Sequence, residues 1–371
     1  MQNTILGMFK PEAVPKPPER PEGGYLLVDL FCSIGGVSQA AKNLGHNVVL
    51  AIDYEAERLE VHRNNHPDCH HECIELGAED SAEFVMAKIR ELVPKTEWHR
   101  LWIHGSPPCT MQSGIRLSGK KRASETYAAK DEDQQNALKL VQWTLNLIVE
   151  LDPPHFSFEE VTTHNTKGAG LDGDRASVQG LLAILKRKMP KFLDFHSFQM
   201  ADFGVPQMRH RLIASRPATI YQLRHAKVLR VDEHVTTFQA LSEALVPPPS
   251  NAAFIQGPHM RKPNREAMKP APQAKGKHTD SKVELYDIRL TPGPTIVSRK
   301  LAWCTRDYFN CHDADKTQPG YLSVDQTLVL MTFPPHFLWH DDWTDTLKVN
   351  ALGNAIPPLF VEAIFRAGGP L

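Results

Sequence analysis

A thiol stands at the end of an apolar run: Leu101-Trp-Ile-His-Gly-Ser-Pro-Pro-Cys-Thr110 reads as a short strand that stops in a rigid double-proline turn carrying Cys109. A sheet presents a nucleophile at such a place, and the thiolate is the attacking form. On its own the pattern fits a small buried hydrophobe better, the commoner fate of a cysteine after a strand. What changes the balance is a set of further clusters in a fixed order. Asp29-Leu-Phe-Cys-Ser-Ile-Gly-Gly36 lies upstream; Phe158-Glu-Glu-Val161, Gln207-Met-Arg-His-Arg211 and Gly353-Asn-Ala-Ile-Pro357 lie downstream.

The first of these clusters ends one strand and runs through two glycines into a helix. Doubly wound sheets bind ligands at the carboxyl ends of their strands, where glycine lets backbone approach the ligand closely. The spacing is not Gly-x-Gly-x-x-Gly, and no lysine follows to grip a phosphate, which argues against a dinucleotide or a nucleoside triphosphate. The second strand ends in Asp53-Tyr54. An acid there can accept both hydroxyls of a ribose, and the adjacent ring can stack on a base; as a plain alternative, Asp53 caps the following helix. The ligand expected is an adenosine without phosphates.

Elements able to position these residues are legible. Strands are expected at Tyr25 to Phe31, Val48 to Asp53, Leu101 to Gly105, His155 to Val161, Phe195 to Met200 and Arg211 to Ser215. Helices are expected at Val37 to Asn43, Glu55 to Asn64, Ser81 to Val93, Glu132 to Glu150 and Ser177 to Lys188. Such alternation implies an α/β fold with a mostly parallel sheet covered on both faces. Periodicity fades between about Ile220 and Asp287 and returns as helix-like stretches at Leu322 to Thr332 and Pro358 to Ala367. The 371 residues, 41% of them apolar, suffice for such a core and a smaller second domain.

Charge excludes little: 42 basic against 43 acidic side chains leave a net charge of −1. A polyanion would have to be met locally. One stretch offers that, Gln256 to Lys282, where Arg261, Lys262, Arg265, Lys269, Lys275, Lys277 and Lys282 face only Glu266 and Asp280. The alternative for it is a solvated loop. No apolar run reaches the roughly 20 residues that span a bilayer, and the amino-terminal residues are proline-rich and polar; a soluble, intracellular chain with no membrane partner is expected. Six scattered cysteines do not make a disulfide framework.

Taken in order, the clusters resemble those of the DNA cytosine-C5 methyltransferases, over nearly everything from residue 25 to 367. That family opens with an Asp-Leu-Phe-x-Gly-x-Gly-Gly loop for S-adenosylmethionine, matched here at Asp29, Phe31, Ile34, Gly35 and Gly36, with Ser33 where the family has glycine. Its Pro-Cys turn is matched by Pro108-Cys109. Its Glu-Asn-Val is represented by Glu159-Glu160-Val161, its Gln-x-Arg-x-Arg by Gln207, Arg209 and Arg211, and its Gly-Asn-x-x-Pro by Gly353, Asn354 and Pro357. The resemblance implies a class I S-adenosylmethionine-dependent methyltransferase, Rossmann-like, with a small inserted target-recognition domain. Boundaries expected are a tail at 1–23, a catalytic domain at 24–216, recognition at 217–288, and a carboxyl-terminal part at 289–371 that completes the catalytic domain. Cofactor contacts are expected from Asp29, Phe31, Ser33, Ile34, Gly35, Gly36, Asp53, Tyr54, Pro108 and Asn354, and catalytic contacts from Cys109, Glu159, Arg209 and Arg211.

Chemistry explains those residue types. Cytosine C5 is too weak a nucleophile to take a methyl group from a sulfonium, so a thiolate, here Cys109, must first add to C6 and make the ring an enamine. Addition is eased by a carboxylic acid that protonates or hydrogen-bonds N3, the place of Glu159. A cation near O2 stabilises charge pushed onto the ring; by resemblance this is Arg211, with Arg209 beside it. A stacked base is out of reach inside a duplex, so the resemblance also implies base flipping, with Met111 to Lys130 as the mobile loop. It makes 256–282 a double-stranded DNA contact over a short target site, and Arg289-Leu-Thr-Pro-Gly-Pro-Thr-Ile296 the motif that supports the recognition domain. A monomer is expected.

Several features depart from the pattern or compete with it. Glu160 replaces asparagine and brings a second carboxylate that either acts on Glu159 or points away. Thr110 replaces a glutamine. The acid that meets the adenine amine should fall near Cys73 to Glu75, without a clear candidate. His62 to Cys73 is dense in zinc ligands, but its spacing matches no standard site, and no metal is expected. A transfer-RNA cytosine methyltransferase and a catalytically silent DNA-binding regulator share the fold; intact Cys109, Glu159 and Arg211 speak against the second. Restriction-modification, viral and epigenetic roles stay open.

Overall fold

The structure is a computed structural model that describes residues 21–108, 125–161, 178–246, 252–256, 284–287, 292–296, 302–305 and 320–369. Its main sheet is built from β1 (Leu26–Leu30), β2 (Asn47–Asp53), β3 (His70–Cys73), β4 (Leu101–Gly105), β5 (His155–Val161), β6 (Asp194–Gln199) and, after the two-residue β7 (Gln207–Met208), β8 (His210–Ser215). The order is β3-β2-β1-β4-β5-β8-β6. Every pairing from β3 to β5 is parallel, and β8 is antiparallel to both of its neighbours. β1, β4 and β5 are buried along their whole length, as parallel strands covered on both faces must be.

Helices cover both faces. On one, α3 (Ser81–Leu92), α4 (Glu125–Leu151) and α5 (Val178–Lys188) contribute Val85, Ile89, Leu145, Ile148 and Leu182 to a core with Val28, Ile103, Phe156 and Phe158. On the other, α1 (Gly36–Asn43), α6 (Pro217–His225) and the last helix, α10 (Pro358–Ala367), bury Val37, Ile220, Leu223, Phe360, Ile364 and Phe365 against Leu27, Trp102 and Ile213. The apolar residues of α10 recur at helical spacing, so one stripe faces inward. α1 and α10 pack side by side, so an early and a late helix meet on this face of the sheet. α2 (Ala56–Asn65) follows β2.

A third core lies under α7 (Thr237–Glu243), α8 (Val324–Leu330) and α9 (Asp345–Asn354), with Leu241, Leu328, Met331, Phe333 and Leu352. A capping box between Ser323 and Gln326 starts α8. A separate antiparallel sheet has the order β10-β9-β12-β13. Its strands are β9 (Ala252–Gln256), β10 (Glu284–Asp287), β12 (Ala302–Thr305) and β13 (Gly320–Tyr321), while β11 (Gly293–Pro294) pairs with β7.

Three differences from the sequence expectation have local causes. β3 falls inside the histidine-rich stretch, where His-His-Glu-Cys offers no apolar alternation to read. α9 interleaves Asn350, Gly353 and Asn354 with its apolar positions and so carries no clean helical stripe. Helix α6, placed at the start of the expected recognition segment, buries Ile220 and Leu223 in the core of the main sheet.

Candidate active site

The loop after β1 is shaped before any ligand enters. Phe31 and Ser33 adopt left-handed backbone (φ 61° and 48°) and Gly35 continues it (φ 94°). That conformation is unfavourable for side chains with a Cβ, which explains why the family pattern has glycine where Ser33 stands. Asp53, at the end of β2, fixes the loop. Its Oδ2 accepts from the Ser33 N–H at 2.8 Å and its Oδ1 from the Glu55 N–H at 3.0 Å. The carboxylate is therefore a brace rather than a cap on the second or third helical N–H, yet each oxygen keeps a lone pair for a hydroxyl. The Tyr54 ring beside it is 58% exposed, a free stacking face.

A cavity of about 130 Å³ opens here. Among the residues expected to do chemistry, Phe31, Ser33, Asp53, Tyr54, Pro108, Glu159, Arg209, Arg211 and Asn354 all line it. Asp29, Ile34, Gly35 and Gly36 do not. Asp29 is buried beneath the loop, where its Oδ2 accepts from Ser38 Oγ at 2.7 Å; burial pushes its carboxyl up to about 7 against the pull of that hydroxyl. Ile34 belongs to the third core. Gly35 precedes α1, and Gly36 lies so close to the chain's last turn that a Cβ would sit 2.3 Å from the Ile356 carbonyl oxygen. Cys109 and Thr110 lie outside the described residues, as do residues 111–124 and 257–282 of the two expected DNA-contacting segments.

Glu159 sits at the cavity's other wall. Its Oε1 meets Arg211 Nε at 2.7 Å, and its Oε2 accepts from Ser106 Oγ at 2.6 Å. Glu160 points away, as successive strand residues must. Its Oε1 accepts from the Val161 N–H at 2.7 Å, and burial, helped by the charge of Glu159, pushes its carboxyl up to about 8. Arg209, expected among the catalytic groups, is buried and donates to the carbonyls of Ile296 (2.7 Å), Gly353 (3.3 Å) and Ala355 (2.9 Å). Gln207 does similar work, holding Leu330 O and the Ile296 N–H. Of the three residues in this motif, Arg211 reaches Glu159 while Gln207 and Arg209 tie β7 and β8 to the chain's carboxyl-terminal part.

Gly353 of the Gly-Asn-x-x-Pro motif lines the cavity too, and so do Glu55, Arg58, Ser106 and Pro107, which the sequence reading did not single out as site residues. Arg58 could have been found from its spacing, three residues after Glu55, with which it pairs at 2.8 Å. The lining cations Arg58, Arg209 and Arg211 are all engaged by carboxylates or carbonyls, which suits a ligand without phosphates. None of residues 70–75 lines the cavity. The buried thiols of Cys32 and Cys69 are pushed up by burial, which keeps them protonated and poor nucleophiles. His62 Nδ1 meets His71 Nε2 at 2.8 Å and His70 meets Glu72 at 2.8 Å; among the described residues no group of three or more His, Cys, Asp or Glu is placed to hold a metal. Among the same residues no helix is long and apolar enough to cross a membrane.

The sheet order with its antiparallel β8 and the cavity at the strand ends define a Rossmann-like methyltransferase fold. The Entamoeba histolytica methyltransferase EhMeth superposes with a TM-score of 0.53 at 12% identity, covering 93% of this chain and 97% of that one. The chain belongs to the C-5 cytosine-specific DNA methylase family, which it matches over residues 25–369. The Type II methyltransferase M.XorII of Xanthomonas oryzae pv. oryzae is 26% identical over 187 residues, half of this chain but only 39% of the relative's length. The match to the Type II methyltransferase M1.HgaI of Avibacterium volantium runs end to end, at 22% identity over 91% of this chain and 96% of the other.

Proposed function

We propose that the chain transfers a methyl group from S-adenosylmethionine to C5 of a cytosine flipped out of double-stranded DNA, through an adduct between Cys109 and C6. The observation that carries this reading is the shared cavity. Glu159 and Arg211, the pair suited to a pyrimidine edge, line the same space as Phe31, Ser33, Asp53 and Tyr54, the set suited to an adenosine. Family membership and the Type II methyltransferase relatives support it.

In this reading Tyr54 stacks on the adenine, Asp53 accepts ribose hydroxyls through its remaining lone pairs, and Asn354 closes the loop side. The bound cofactor supplies an electrophilic methyl on a sulfonium. Cys109, one residue past the double proline, adds to C6. Arg211 faces the cytosine edge with Glu159, which protonates N3 as the thiolate adds. Arg209 holds the two walls at their spacing, a positioning role. Beyond α6, which packs on the main sheet, the rest of the 217–288 segment, with the basic run inside it, supplies recognition of a short site.

The test is product analysis. Protein and its Cys109→Ala variant are incubated with S-adenosylmethionine and either unmethylated DNA or transfer RNA, and nucleosides are quantified by mass spectrometry. We expect 5-methyldeoxycytidine from the parent and none from Cys109→Ala. 5-Methylcytidine from RNA alone, or equal product from the variant, would overturn the reading.

A further inference from the structure

Glu159 has two oxygens, and the site gives each a different partner. Arg211 Nε holds Oε1 at 2.7 Å and Ser106 Oγ holds Oε2 at 2.6 Å. Three adjacent strands bring them together. Gly105 pairs with Phe158 across β4 and β5, so Ser106 continues β4 directly opposite Glu159; Val161 pairs with Arg211 across β5 and β8, two residues further along the same face. Alternation therefore points Ser106, Glu159 and Arg211 to one side, the side of the cavity.

The two partners differ in kind. A guanidinium only donates, so it favours the anion and lowers the basicity of the oxygen it touches. A hydroxyl donates or accepts. Ser106 donates to one lone pair of Oε2 and leaves the other free to carry a proton aimed at the pyrimidine, and being neutral it withdraws less charge from that oxygen than the guanidinium does from Oε1. The next two residues are Pro107 and Pro108, which carry no N–H to compete for the same oxygen and hold the turn rigid. We propose that Ser106 is a positioning residue for the reaction, fixing Glu159 and reserving its Oε2 as the oxygen that carries a proton to cytosine N3. The assignment rests on the cytosine reading above.

The step balances. Oε2 takes a proton from solvent, giving the acid. As the Cys109 thiolate bonds to C6, the C5–C6 π pair shifts toward C4 and the C4–N3 π pair moves onto N3, which takes the Oε2 proton; Glu159 is left as a carboxylate to which Ser106 donates. After methyl transfer and loss of the C5 proton to a base, the sulfur leaves with the C6–S electrons and N3 returns its proton to Oε2.

The experiment compares the full-length parent with Ser106→Ala, Ser106→Gly and Ser106→Thr, measuring kcat and KM for DNA across roughly pH 6 to 9, with melting temperature as a check on folding. Both variants lacking the hydroxyl should lose about tenfold or more in kcat while KM for DNA stays within about twofold. Ser106→Thr, which keeps a hydroxyl, should recover kcat. A Ser106→Ala profile superimposable on the parent overturns the assignment, as does a change in KM alone. Equal impairment of all three variants overturns it too, since that marks packing rather than the hydroxyl. A parent that forms no 5-methyldeoxycytidine overturns the cytosine reading and this assignment with it; an active parent with a silent Ser106→Ala change overturns only the latter.

Discussion

Glu159 and Glu160 are adjacent in the chain and identical in kind, and the pleat of β5 separates their fates. Glu159 faces the cavity with Arg211 and Ser106. Glu160 lies on the face that carries Phe156 and Phe158, and its carboxyl is pushed up to about 8 by burial and by the charge of Glu159. The sign of its effect on stability follows. Above the ordinary value of 4.5 the unfolded chain releases the proton while the folded chain keeps it. Stability is therefore lost as pH rises through this window, and the loss levels off above about pH 8. Glu160→Gln keeps an acceptor for the Val161 N–H and has no proton to lose. The variant should gain on the parent with rising pH, by an amount on the order of 1 to a few kcal/mol, in urea unfolding at successive pH values. A constant difference between the two proteins from acid to alkali would show that Glu160 does not hold its proton.

At the scale of elements, the site lies where α1 and the turn before α10 touch. The first residue of α1 is a glycine, Gly36, because the last turn before α10 leaves no room for a side chain there. A Cβ would lie 2.3 Å from the backbone oxygen of Ile356, an atom that no rotamer change can move aside. Gly36→Ala should therefore destabilise the fold by about 1–3 kcal/mol through overpacking, with weakened S-adenosylmethionine binding in calorimetry as the loop shifts. An alanine variant with the parent's melting temperature and affinity would show that the approach is looser than drawn. Runs such as Leu26–Leu30 and His155–Val161, and the rule that ligands sit at strand ends, made the carboxyl-end cavity readable in the sequence. Other features were not readable because no local pattern encodes them. β3 has no alternation, the reversed direction of β8 is a property of the whole sheet, and Ser106 meets a partner 53 residues away. The bonds from Arg209 to three carbonyls were hidden too, since only packing reveals them.

For the whole molecule, two sets of buried groups pull stability in opposite directions with pH. Burial lowers His62 well below its ordinary range, His66, His71 and His155 to about 4, and His104 to about 3. Below the ordinary histidine value of 6.5 the unfolded chain takes up protons that the folded chain refuses, so stability contributed by these histidines is lost as pH falls toward about 4. Asp29 and Glu160, raised by burial to about 7 and about 8, act in the other sense and lose stability as pH rises from the ordinary carboxylate range to those values. In the acidic window, among the described residues, these five histidines and His196, also lowered by burial, oppose two carboxylates, and the histidines prevail. Above the histidine range and up to about pH 8, Asp29 and Glu160 are the groups among the described residues that still act. The melting temperature should therefore pass through a maximum near pH 6.5, falling steeply on the acid side and gently on the alkaline side up to about pH 8. Scanning calorimetry in matched ionic strength from acid to alkali reads this directly. Stability that climbs steadily through neutral pH would mean that the carboxylates beneath the loop after β1 and behind Glu159 are ionised in the folded protein. Reversing the charge assigned to Asp29 in this way would put an anion directly under the strained loop that Phe31 and Ser33 form.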